Sequence, residues 1–113
     1  MRLRGLLLTA ALLGLPLAAR GQGLDPLRAL GLRCVQGAHV AASCKPFLDT
    51  TYRLKNRAEA AKRWRCYSAL LGYEAQVIAA RGGGAGDTPA ATASELALDS
   101  AYGELSAECE PIQ

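Results

Sequence analysis

The chain has 113 residues, half of them hydrophobic, with four cysteines, one histidine and a formal net charge of +3. Three of its bases, Arg2, Arg4 and Arg20, fall in the leader-like first twenty-one residues; beyond them ten basic and ten acidic residues remain. A neutral body of this size excludes the basic field on which a nucleic-acid or anionic-membrane binder relies, and leaves room for one domain.

Residues 1–21 have the grammar of a secretory signal peptide: Arg2 and Arg4 form the positive start, Leu6 to Leu17 the apolar stretch, and Ala19 and Gly21 the small residues of a cleavage site. The apolar stretch is about twelve residues long and holds Gly14 and Pro16, too short for the roughly 20 apolar residues of a spanning helix. Residues 22–113 then form a single domain, periplasmic or secreted, without stable membrane insertion. Its 22 large apolar side chains make one small core, and a domain of this size leans on covalent staples. Cys34, Cys44, Cys66 and Cys109 are even in number behind an export signal, which reads as two disulfides.

Asp25-Pro26 reads as a helix entry, with Asp25 as capping acceptor and proline where no amide donor is needed. Leu27, Leu30 and Cys34 follow at helical spacing, which predicts a helix over about 26–36, broken by Gly37. From Ala38 to Leu54 the pattern is weaker, with Pro46 early in it. Val40, Phe47, Leu48 and Tyr52 line one side of a second, irregular helix.

The strongest periodicity runs from Arg57 to Arg81, with Asn56 as cap and Glu59 in a capping-box position. Two apolar rows lie side by side: Trp64, Tyr67, Leu71, Ala75 and Ile78, then Cys66, Leu70, Tyr73 and Val77. Both are expected inside, Trp64 included, with Lys62, Arg65 and Gln76 on the wet side. Gly72 interrupts the middle, and a close helix crossing is the expected reason.

Gly82 to Gly86 is a flexible turn. It lacks the Gly-Lys-Ser/Thr ending of a phosphate loop and follows a helix instead of a strand. Asp87 or Thr88 then caps a last helix over about 90–109, with Leu98, Tyr102, Leu105 and Cys109 on one face and acids on the other. The short hairpin makes this helix antiparallel to the central one, bringing Cys109 near Cys66. Cys66–Cys109 and, by elimination, Cys34–Cys44 are the pairings chosen from three. The expected fold is all-α, a small antiparallel bundle of three to four helices stapled by two disulfides.

The sequence marks no catalytic or cofactor site. His39 lies between two cysteines as Cys34-x4-His39-x4-Cys44, which is not a usual zinc spacing and is better used as a disulfide in an exported protein. No nucleophile motif accompanies this single imidazole. No enzymatic activity, metal or cofactor is therefore expected. Residues 28–81 carry ten Lys and Arg against three acids, and residues 82–113 carry six acids and no base. Within the basic part, Arg53, Lys55, Arg57, Lys62, Arg63 and Arg65 form a dense run. It serves either as a docking face for a protein partner or as one half of an internal charge balance with the last helix.

Cys44 closing an early helix, then Cys66-Tyr67-Ser68-Ala69-Leu70-Leu71-Gly72 as a Cys-x5-Gly segment, with Cys109 near the end, resembles the type VI secretion amidase-immunity (Tai-type) proteins. The resemblance covers about residues 38–80; Ala69 stands where that family usually has tyrosine, and Gly82 to Gly86 replaces its Cys-Ile-Pro type element. It implies an exported helical protein that binds and neutralises a secreted toxin or enzyme cutting the cell wall. The functional expectation is thus a protein-binding module, an inhibitor or immunity protein in its narrower form; the alternative is a helical carrier of a small apolar ligand.

Overall fold

A computed structural model describes residues 23–82 and 89–111. The expected leader at 1–21, its expected cleavage site, most of the glycine turn and the expected Asp87 or Thr88 cap lie outside the described residues. Four helices account for nearly all of the rest: α1 (Asp25–Gln36), α2 (Val40–Ala60), α3 (Trp64–Gly82) and α4 (Pro89–Cys109). Among the described residues there is no strand, and no helix is long and apolar enough to cross a membrane. Consecutive helices run antiparallel, so the fold is the expected all-α bundle.

α1 starts one residue earlier than the proline signal suggests. Asp25 is its first residue and not its cap, and Leu24 takes the N-cap position without a side-chain bond. The Asp25 carboxylate instead accepts a 3.0 Å hydrogen bond from the Tyr102 hydroxyl of α4. Gly37 ends the helix as expected, its amide donating to the Arg33 carbonyl.

α2 is regular through Pro46 and continues to Ala60, past the Asn56 expected to open the next helix. The break falls six residues later. There the Arg63 amide donates to the Ala58 carbonyl and the Lys62 amide to the Glu59 carbonyl, while Lys62 takes a φ of 58°. This is a Schellman motif with lysine in the left-handed position that glycine usually fills. The capping box at Asn56 is silent because the helix runs on through it.

Two disulfides, Cys34–Cys44 and Cys66–Cys109, hold the ends of the bundle, with Cα separations of 4.2 and 4.7 Å. Both are the pairings expected from the hairpin argument. Cys66 sits in the first turn of α3 and Cys109 is the last residue of α4, so this bond fixes the rotation of α3. Cys66, Leu70, Tyr73 and Val77 turn into the core beside Leu27, Phe47 and Leu105. The second row cannot also be inside: Trp64, Leu71 and Ile78 are about half exposed and Ala75 is exposed, with Tyr67 half-buried against Trp64.

The close glycine contact lies elsewhere than at Gly72. Gly72 is exposed, and a β-carbon built there meets nothing within 4 Å. Gly31 of α1 is the glycine on which neighbours close: an added β-carbon lies 3.2 Å from the Tyr73 hydroxyl, 3.3 Å from Val77 and 3.4 Å from Phe47.

Candidate protein-binding surface

The six cations expected to form a docking face are divided by the turn between α2 and α3. Lys55 turns inward. Its Nζ lies 2.8 Å from the Glu74 carboxylate, both side chains are more than four-fifths buried, and the buried Thr51 hydroxyl donates to the other Glu74 oxygen. Arg63 is occupied as well. Its guanidinium donates to the Glu108 carbonyl at 2.9 Å and the Pro111 carbonyl at 3.0 Å, capping the end of α4 beside Cys66–Cys109.

Arg81 does the same at the other staple, donating to the Cys34 carbonyl at 2.5 Å and the Gly37 carbonyl at 2.7 Å. Charged donors on otherwise unsatisfied carbonyls of a helix end are favourable both as hydrogen bonds and against the helix dipole.

The remaining four cations, Arg53, Arg57, Lys62 and Arg65, are exposed and form no ion pair among the described residues. Arg53 and Arg57 stand one turn apart on α2, with Arg53 donating to the Thr50 hydroxyl. Arg57, Lys62 and Arg65 lie within about one helical turn of the Ala61–Arg63 bend. Trp64, 55% exposed, follows that bend as the first residue of α3. Sequence reasoning placed Trp64 inward because helix phase alone does not say which of two adjacent apolar rows faces the core. Arg65 and Trp64 also line an open groove with Ser68, Glu104 and Glu108 of α3 and α4.

Among the described residues, the acidic face of α4 makes its cross-helix ion pair with α1, not with this run. Arg28 lies 3.1 Å from Asp99 and stacks over the Tyr102 ring at 4.7 Å from its centroid. These side chains border an open groove of about 220 Å³ between α1 and α4, lined also by Leu32, Leu98 and Tyr73. Burial pushes the Tyr73 phenol up to about 12, and Tyr102 is raised by burial and by its hydrogen bond to Asp25. Tyr73 is thus a neutral, rigid part of the core, packed edge-on against Phe47.

His39 is exposed at the N-cap of α2, without a capping bond, and its two neighbouring cysteines are joined to each other. Comparison of the chain with protein-family models, with curated proteins and with solved structures returns no match.

Proposed function

We propose that this chain is an exported, non-enzymatic protein-binding module that meets an acidic partner through the tip where α2 turns into α3. The observation that carries this reading is Trp64, exposed beside Arg65 in the first turn of α3, at a bend that also bears Arg57 and Lys62; all three cations are exposed and in no ion pair among the described residues. Tryptophan and arginine are the residue types that most often dominate interface energies, and a cluster of cations speeds the approach of an acidic surface. The leader at 1–21 and the two disulfides support a periplasmic or secreted location.

The narrower role, an immunity protein neutralising a toxin or enzyme that cuts the cell wall, draws on the likeness of Cys44, Cys66 to Gly72 and Cys109 to the Tai-type pattern. A carrier of a small apolar ligand is the weaker reading: the groove between α1 and α4 holds about 220 Å³, below the roughly 300 Å³ at which ligand sites begin. The larger grooves of about 320–360 Å³ beside Gly72, Trp64 and Leu30 are open to the surface and enclose no apolar cavity.

The test uses the oxidised chain as bait in extracts of its own compartment, beside Trp64→Ala and the triple variant Arg57→Glu, Lys62→Glu, Arg65→Glu. A partner whose capture falls at least about tenfold in both variants and weakens in about 0.5 M salt supports the reading. Capture indifferent to both variants and to salt refutes it. The immunity role is read separately, as inhibition of a captured peptidoglycan hydrolase by the parent chain.

A further inference from the structure

We propose that Arg63 is a positioning residue for the tip: it holds Trp64 and the rim of the groove beside it in one arrangement, by tying the start of α3 to both neighbouring helix ends. This role rests on the reading of Trp64 as a contact residue.

Arg63 stands immediately before α3 and is fixed along the backbone in both directions. Its amide donates to the Ala58 carbonyl of α2 at 2.8 Å, and its carbonyl accepts the Tyr67 amide of α3 at 3.0 Å. The half-buried side chain leaves toward a third element. One guanidinium nitrogen donates to the Glu108 carbonyl and the other to the Pro111 carbonyl. A single residue thus joins α2, α3 and the chain at the end of α4.

The consequence falls on Trp64. Amides in a first helical turn have no partner within their own helix, and such a turn frays unless something outside holds it. The indole is exposed and meets Tyr67 edge-on, with ring centroids 6.2 Å apart, so its place depends on how firmly the backbone beneath it is held. Glu108, whose carbonyl Arg63 holds, lines the same groove as Trp64 and Arg65. Arg63 therefore sets both walls of that groove, one through the chain and one through space. Cys66–Cys109 joins the same two helix ends at one point, and the planar fork of Arg63 adds orientation to that tether. A side chain held in place before contact loses less freedom on binding, which is worth about two- to tenfold in affinity.

Arg81 supplies the control. It also donates to two carbonyls, those of Cys34 and Gly37, but at the other staple, so Arg81→Ala removes a like set of bonds without touching the tip.

Trp64 is the only tryptophan of the chain, so its fluorescence reads the tip with no partner present. In the oxidised chain, Arg63→Ala should lower the Trp64 anisotropy and raise its quenching by acrylamide, a neutral probe blind to the change of charge. Arg63→Lys, a point charge that cannot hold both carbonyls as a fork does, should restore only part of the parent signal, and Arg81→Ala should match the parent. With the same chains as bait, capture should fall about two- to tenfold for Arg63→Ala and stay unchanged for Arg81→Ala. Circular dichroism checks that each variant is folded; if Arg63→Ala is not, Arg63→Lys decides. Parent-like anisotropy and quenching in the Arg63 variants, an equal change in Arg81→Ala, or undiminished capture by a variant whose Trp64 is loosened overturns the proposal. Capture that ignores Trp64→Ala refutes the tip as the contact instead, and the fluorescence still decides whether Arg63 holds it.

Discussion

Replacing Gly72 and Gly31 by alanine, one at a time, separates helix propensity from packing in this bundle. Both glycines lie within helices, and in each case alanine removes a propensity penalty of about 0.8–1.0 kcal/mol. At Gly72 nothing opposes that gain, because no atom lies within 4 Å of the new β-carbon. Gly72→Ala should stabilise by nearly the full amount, about 1 kcal/mol, or roughly 4–8 °C in Tm for a domain of this size. At Gly31 the β-carbon arrives 3.2–3.4 Å from Tyr73, Val77 and Phe47. These three are themselves buried, so none moves aside without disturbing the others. Overpacking of about 1–3 kcal/mol outweighs the propensity gain, and the expected result is a net loss of up to about 2 kcal/mol. Thermal and urea unfolding of both variants, with disulfides intact, give the comparison. If Gly31→Ala stabilises as much as Gly72→Ala, the α1–α3 contact is not close, and the core described around Tyr73 is wrong.

Lys62→Gly relieves a left-handed conformation that costs an L-residue about 1 kcal/mol, and should stabilise by about half to all of that after the greater freedom of unfolded glycine is set against it; an unchanged urea midpoint would show that lysine is not strained there. Thiol titration of the denatured, unreduced chain should find no free thiol, and removing Cys66–Cys109, which spans 43 residues, should cost about 4 kcal/mol against about 3 for Cys34–Cys44, which spans 10. Spectrophotometric titration should show one tyrosine ionising near 12. Because the folded Tyr73 phenol is raised above its ordinary value of 10, the stability it contributes is complete below pH 10 and is lost as pH rises toward 12. Equal unfolding midpoints at pH 9 and pH 11.5 would contradict this assignment.

The fold was legible where covalent and steric facts leave little choice. Four cysteines and a short hairpin determined the pairing, and Gly37 marked the end of α1. The turn between α2 and α3 was hidden for a physical reason: its left-handed position holds Lys62, while Asn56 and Glu59 imitate a helix start that the chain passes through. Trp64, Leu71 and Ile78 were expected inside because α3 is apolar on two adjacent rows, and only the disulfide at Cys66 decides which row turns in. Gly72 was taken for a packing glycine because sequence records the missing side chain but not the space around it. The basic run was visible as a run. What sequence could not show is that Lys55 is consumed by Glu74 and Arg63 by the carbonyls of Glu108 and Pro111, since those partners lie 19 to 48 residues away.

The division of the cations also narrows how a partner can approach. Arg65 lies in the first turn of α3 (Trp64–Gly82) and Glu108 in the last turn of α4 (Pro89–Cys109), with Glu104 one turn before it, so each helix end carries the charge its own dipole disfavours. Cys66–Cys109 brings those two ends together, and Arg65 shares a groove with both glutamates. The two unfavourable ends therefore offset one another across the α3–α4 seam, without a direct ion pair. Arg65 is partly answered in this way, while Arg57 and Lys62 are not among the residues that line that groove. The proposed acidic partner gains most by entering from the α2 side of the tip, where it meets Arg57 and Lys62 before it reaches the groove that Trp64 shares with Glu104 and Glu108. Approach from the α4 side must first displace the field of Glu104 and Glu108. The substitutions Arg57→Glu and Lys62→Glu should accordingly slow association more than Arg65→Glu does, and a larger effect at Arg65 than at either of the others would place the contact on the α4 side instead.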